Sequence, residues 1–210
     1  MIRILVADDH RIVREGLKQI LAENPDMVVT DEASNGQEVL AKVRKTECDV
    51  VLLDISMPGR SGLDILKQLK TEWPRLSVLV LSMYSEEQYA MRALRAGASG
   101  YMTKESAPDE LIEAIRKVST GRKYISPAVA EKLAFSLAAD DERPPHENLS
   151  DREYQVMCMI ASGKTIKTIA DDLSLSVKTV STYRSRILEK MKMKNNAELT
   201  HYSIQNRLVE

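Results

Sequence analysis

Two cysteines, Cys48 and Cys158, are the only thiols in this 210-residue chain, and neither belongs to a CxxC pair or lies near a histidine cluster. Neither a disulfide framework nor a zinc site is indicated, and both read as reduced, partly buried thiols. Long apolar runs are missing too: none approaches the ~20 residues that a membrane-spanning helix needs. The N-terminus, MIRILVADDH, enters an apolar strand pattern at once and has no signal-peptide cleavage region. A cytoplasmic location is therefore expected. No internal repeat is found.

The chain also lacks a marked excess of either charge, with a formal net charge of -1. That balance hides an asymmetry. From Leu149 onward ten Lys and Arg face seven Asp and Glu, whereas the earlier part has twenty against twenty-four. Between 177 and 194 six basic residues (Lys178, Arg184, Arg186, Lys190, Lys192 and Lys194) meet a single acid, Glu189. A polyanionic partner is expected for the back part only.

The first 121 residues alternate apolar runs with amphipathic stretches. IRILVAD (2–8), MVVTDEA (27–33), DVVLLD (49–54), SVLVLS (77–82) and GYM (100–102) read as strands. The first, third and fourth are almost continuously apolar, as in a parallel sheet covered on both faces. Helical spacing fills about 12–22, 36–45, 62–72, 86–96 and 108–119, with glycines punctuating the ends. Five βα units predict a doubly wound α/β domain with a five-stranded parallel sheet over 1–121. A linker is expected over 122–148, with a helix at 127–138 opened by Pro127, then a polar, proline-bearing stretch over 139–148. From 149 to 210 the pattern is all-α, with four helices. Ser150 and Glu153 fit a capping box flanked by a Leu149–Tyr154 staple. A short helix (166–173), a turn at Ser174-Leu175 and a longer helix capped by Ser176 follow, and the last helix covers about 197–205.

In an open parallel sheet, ligands bind at the carboxyl ends of the strands. There the sequence puts Asp8 and Asp9, Asp54, Ser82 and, after the fifth strand, Lys104. Gathered carboxylates repel, and a hard divalent cation such as Mg²⁺ compensates them. With the cluster neutralised, one carboxylate can attack a phosphoryl group, while a hydroxyl and an ammonium hold the product. His10 reads as a neighbour of this set rather than a ligand.

Near the C-terminus, residues 166–191 have the proportions of a helix-turn-helix. Val180, Tyr183, Ile187 and Met191 form an inward stripe. Lys178, Thr182, Ser185, Arg186 and Glu189 fall on the opposite face, with Ser181 at its border. Small hydroxyls among basic residues suit the DNA major groove. A protein-binding helical hairpin is the competing reading of the pattern alone.

Over about 1–120, with DDH (8–10), LLDISMPGRSG (52–62), Ser82 and GYMTK (100–104), the chain resembles the response-regulator receiver domains, which are flavodoxin-like. Over 149–208 it resembles the LuxR-type DNA-binding domain, and the two together resemble the NarL/FixJ response regulators. The resemblance implies that Asp54 is the phosphoacceptor. It implies that Asp9, Asp54 and the Ser56 carbonyl bind Mg²⁺, supported by Asp8. Ser82 and Tyr101 would form the switch pair and Lys104 would bind the phosphoryl group. Many receivers have proline after this lysine, whereas Glu105 stands here, so no cis peptide is expected. DNA contacts are expected from Lys178, Thr179, Ser181, Thr182, Arg184, Ser185 and Arg186, although many members carry Lys at position 181. Expected partners are a histidine kinase, double-stranded DNA and a second copy of the chain as a homodimer. A Mg²⁺-dependent aspartyl phosphatase would carry an acid two residues after its nucleophile, where Ser56 stands, so no enzyme is expected. The alternative is a DNA-binding regulator whose receiver acts without phosphorylation.

Overall fold

The computed structural model describes residues 1–127, 129–131 and 144–209, which divide into two compact units at Glu131. In the first unit five parallel strands, β1 (Ile2–Ala7), β2 (Met27–Ala33), β3 (Val50–Asp54), β4 (Ser77–Ser82) and β5 (Gly100–Thr103), pair in the order β2-β1-β3-β4-β5. Five helices alternate with them: α1 (Arg11–Ala22), α2 (Gly36–Lys45), α3 (Gly62–Glu72), α4 (Glu86–Arg95) and α5 (Pro108–Ser119). The continuous apolar strands are the central ones because both their faces are covered. Val50, Val51, Leu52 and Leu53 of β3 are each at most 1% exposed. Burial of each such side chain contributes roughly 2 kcal/mol.

Helix starts follow local chemistry. Asn35 Oδ1 accepts from Glu38 N–H at 3.0 Å, and the Glu38 carboxylate accepts from Ser34 N–H at 2.8 Å, which together fix α2. The entry to α3 depends on a missing side chain. A Cβ on Gly62 would lie 2.3 Å from the Ile55 Cα, so only glycine lets α3 begin against the loop that leaves β3.

After α5 the chain turns back along the sheet edge, where Tyr124 makes a parallel bridge with Gly100. Of the helix expected over 127–138, Pro127 and residues 129–131 are helical. Residues 128 and 132–143 of the expected linker lie outside the described residues.

The second unit comprises a 3₁₀ turn (Pro145–Asn148) and helices α6 (Asp151–Ala161), α7 (Ile166–Asp172), α8 (Val177–Met191) and α9 (Asn196–Gln205). The capping box at Ser150 and Glu153 is formed in full, and Leu149 and Tyr154 are buried beside it. Ser174 takes a positive φ of 53° in the turn between α7 and α8, and Leu175 N–H donates to Ala170 O at 2.8 Å. Ser176 Oγ then accepts from Thr179 N–H at 3.0 Å and starts α8. Ile169, Val180, Ile187 and Leu199 are fully buried, and α6 packs against α7, α8 and α9. Tyr183 of the expected inward stripe is half-buried.

Candidate functional site

β1 and β3 are neighbours where the strand order reverses, the crevice in which open α/β sheets hold ligands. Pairing of Ala7 with Leu53, of Asp54 with Leu81 and of Ser82 with Thr103 brings the carboxyl ends of four strands level. Asp8, Asp54, Ser82 and Lys104 therefore meet although they are far apart in sequence. Lys104 Nζ stands 2.5 Å from Asp8 Oδ2 and 2.7 Å from Asp54 Oδ2, with all three side chains at most 8% exposed. The lysine backbone is itself anchored, since Lys104 N–H donates to Ser82 O at 2.8 Å.

Burial pushes the Asp54 carboxyl above the usual carboxylate range, and Lys104 and the Ser56 N–H (2.8 Å from Oδ1) offset this only in part. Burial disfavours the Lys104 ammonium, but Asp54 and Asp8 outweigh it and hold the group above its ordinary value. Arg14, which the sequence reading passed over, donates to Asp8 O at 2.7 Å and pairs with Glu32 at 3.2 Å. Its signal was only a cation on the inner side of the first helix.

Asp9 and His10 complete the rim. One ligand atom from each of Asp8, Asp9, His10 and Asp54 lies within 4.8 Å of the others. Asp8 Oδ1 accepts from His10 N–H at 2.8 Å. Asp9 Oδ1 is buried without a hydrogen bond, although His10 Nδ1 is 3.1 Å away. Three carboxylates against one lysine leave two negative charges uncompensated. That excess and the orphaned Asp9 oxygen are what a divalent cation with oxygen ligands fits. His10, set aside in the sequence reading, lies within reach of the same place.

Ser82 is fully buried, and its Oγ accepts from Tyr84 N–H at 3.1 Å. Tyr101 is 3% exposed and donates through Oη to Tyr84 O at 2.7 Å. Burial pushes the Tyr101 phenol up, with a hydrogen bond to Ser82 acting against it. The aromatic side chain thus lies inward, next to the serine. No peptide bond among the described residues is cis.

In the second unit, Lys178, Ser181, Thr182, Ser185 and Arg186 share the exposed face of α8. Thr182 and Ser185 donate their hydroxyls to Lys178 O (2.9 Å) and Ser181 O (3.2 Å), leaving oxygen lone pairs outward. The remaining two expected contacts have partners within the unit. Thr179 Oγ1 is 2.8 Å from Ser176 Oγ, and Arg184 Nε donates to Asn196 Oδ1 at 2.6 Å, which ties α8 to α9. Val177, not singled out in sequence, is 50% exposed at the start of α8.

The family model "Response regulator receiver domain" matches residues 4–116, and "Bacterial regulatory proteins, luxR family" matches 147–203. The chain is 40% identical over 211 residues to the response regulator GacA of Pseudomonas viridiflava, covering 100% of this chain and 99% of that protein. It is 36% identical over 209 residues to the response regulator UvrY of Escherichia coli K12, covering 99% and 96%. Among solved structures it is similar to RcsB from Salmonella enterica serovar Typhimurium bound to promoter rprA in the presence of the phosphomimetic BeF3-. That match has a TM-score of 0.66 and 26% identity, and covers 96% of this chain and 98% of that one. No helix of the described residues is long and apolar enough to cross a membrane.

Proposed function

The chain belongs to the response regulators that join a receiver domain to a LuxR-type DNA-binding domain, and from that we propose that Asp54 is its phosphoacceptor. The receiver occupies 1–121 and the DNA reader 149–210, with the intervening segment as linker. The observation that carries the reading is the placement of Lys104 between Asp8 and Asp54 in one buried pocket, with Ser82 and Tyr101 beside it.

Asp8, Asp9 and Asp54, with the Ser56 carbonyl, would hold Mg²⁺, which supplies charge neutralisation for the incoming phosphoryl group when bound. The remaining work falls to the chain. A phosphohistidine of a partner kinase presents its phosphorus to an Asp54 oxygen. The O–P bond forms as the P–N bond breaks, and the imidazole leaves with the electron pair. The Lys104 ammonium, already gripping Asp54, is placed to pair with the new dianion, and the Ser82 hydroxyl to donate to it. Ser82 and Tyr101 then bias the α4–β5 face between two packings.

For the second unit, Lys178 and Arg186 supply phosphate contacts and Ser181, Thr182 and Ser185 meet base edges in the major groove. Thr179 and Arg184 hold the reading helix in place. Two copies on paired half-sites suit a LuxR-type reader. The test combines acetyl phosphate with Mg²⁺ and follows label on the protein. The unaltered chain should become labelled and Asp54→Ala should not. Retained label in Asp54→Ala would overturn the assignment.

A further inference from the structure

β5 is one of the two edge strands of the sheet, and the chain that leaves α5 covers it. Tyr124 N–H donates to Ser99 O at 2.9 Å, and Lys123 Nζ donates to Ala98 O at 2.5 Å. The approach is close enough to require a glycine: a Cβ on Gly100 would lie 2.7 Å from Tyr124 O. Tyr124 packs on the hydrophobic core, with Lys117 Nζ 5.6 Å from its ring centre. A backbone laid on an edge strand protects unpaired peptide groups, and that alone would make it structural.

Ser126 adds something a cover does not need. Its Oγ accepts from Val129 N–H at 3.4 Å and its carbonyl accepts from Ala130 N–H at 2.9 Å, so it caps the helical turn that begins at Pro127. The same hydroxyl donates to the carboxylate of Glu86, the first residue of α4. Glu86 follows Tyr84 by two residues, and Tyr84 O is the acceptor that holds the Tyr101 hydroxyl inward. Hydrogen bonds that join Ser82 and Tyr101 to Tyr84, two residues of chain from Tyr84 to Glu86, and the Glu86–Ser126 contact therefore lead from the pocket to the cap of the helical turn on the path to the DNA reader.

We infer that Ser126, held by Glu86, and Tyr124, held on the β5 edge, are positioning residues that pass the state of Tyr101 to the interdomain chain. With Tyr101 inward, the turn at Tyr84 and the start of α4 are fixed, Glu86 meets Ser126, and the strap is seated. With Tyr101 outward, Glu86 loses its place and the strap loosens. Phosphorylation thereby favours a seated strap. This inference rests on the phosphoacceptor reading above.

The experiment uses the full chain with and without acetyl phosphate and Mg²⁺, and a duplex that the unaltered chain has enriched from a random-sequence pool. Three readouts are taken: label on the protein, DNA affinity, and exchange protection of the Tyr124 amide. Ser126→Ala and Glu86→Ala should label within twofold of the unaltered chain and bind DNA equally without donor. Their donor-dependent gain in affinity should shrink about fivefold, the worth of one hydrogen bond. Ser126→Thr should retain the gain, and Tyr124 protection should rise with donor in the unaltered chain and in Ser126→Thr but not in the two alanine variants. A full gain in both alanine variants, or Tyr124 protection indifferent to donor, overturns the inference while leaving the phosphoacceptor reading intact. An unaltered chain that takes no label, or whose affinity ignores the label, overturns both.

Discussion

Lys104 and Asp54 are fifty positions apart, one just after β5 and the other at the end of β3, strands that do not pair, yet their charged atoms meet at 2.7 Å. β4 lies between β3 and β5, so the lysine reaches across the end of an intervening strand to close the pocket. On the proposed phosphoacceptor reading, phosphorylation of Asp54 would place the phosphoryl group beside this cation. The lysine is therefore suited to hold the product rather than to activate the reactant.

Burial works against the charge on Asp54. Asp54 titrates above its ordinary value in the fold, so its charged form is disfavoured there relative to the unfolded chain, and ionisation near neutral pH weakens the fold. Asp54→Asn should therefore raise stability in EDTA-containing buffer by about 1 kcal/mol. Mg²⁺ should narrow the difference. Urea unfolding of both proteins, with and without metal, measures it, and a destabilised variant in EDTA would contradict the argument.

Lys104→Met leaves Asp8 and Asp54 buried without their cation. Removal of one partner from a buried pair costs about 3 kcal/mol or more. Label from acetyl phosphate is expected to survive in part, but its effect on DNA affinity should be lost. Parallel labelling and DNA titration separate the two effects.

Tyr101→Phe keeps the ring and removes the hydrogen bond to Tyr84 O. That bond is worth about 1 kcal/mol, enough to move a two-state equilibrium roughly fivefold. Phosphorylation should proceed at the usual rate while the donor-dependent gain in DNA affinity falls. A gain of unaltered size would show that the hydroxyl plays no part.

On the reading helix, Lys178→Ala should weaken DNA binding evenly across sequences and reduce the salt-dependence slope by about 0.9. Ser181→Ala and Thr182→Ala should instead alter base preference, with about 1 kcal/mol or more at the affected position. Arg184→Ala is expected to act through the α8–α9 contact with Asn196 and to appear as lost stability. Titrations at several salt concentrations, with melting curves, distinguish the three classes.

Glu153 gives the second unit an acid limit. Burial alone would raise its carboxyl, but Lys190 at 2.6 Å and the Ser150 N–H and hydroxyl outweigh burial and lower it. A carboxylate lowered in the fold contributes stability that is fully present above its unfolded value, near 4.5, and is lost as pH falls through the folded value. Glu153→Gln should keep most of the cap while flattening this acid-side loss. Amide exchange of residues 151–161 between pH 3 and pH 6 shows whether it does.

Much of this was legible in the chain because local rules act over a few residues. The buried strands were continuous apolar runs, the α6 cap was a serine three residues before a glutamate, and the helix-turn-helix showed two spacings around a serine turn. Element bounds follow the sequence reading within a residue or so, since caps, glycines and prolines mark them locally. Asp8, Asp9, Asp54, Ser82 and Lys104 were recognisable because each stands at or just beyond the end of an apolar run, and parallel strands put those ends on one edge.

Tertiary structure decided what depends on approach between distant segments. Nothing local tells Arg184 to meet Asn196, or Arg14 to cap the Asp8 carbonyl. The Ser126–Glu86 contact joins positions forty residues apart through an edge strand and a helix start, and no periodicity encodes it. Sequence by itself determined which segments become strands and helices and which polar residues end them, because hydrophobic period and capping chemistry are short-range. The fold alone decided which of those polar groups touch, because contact depends on strand order, register and the few ångströms left between packed backbones.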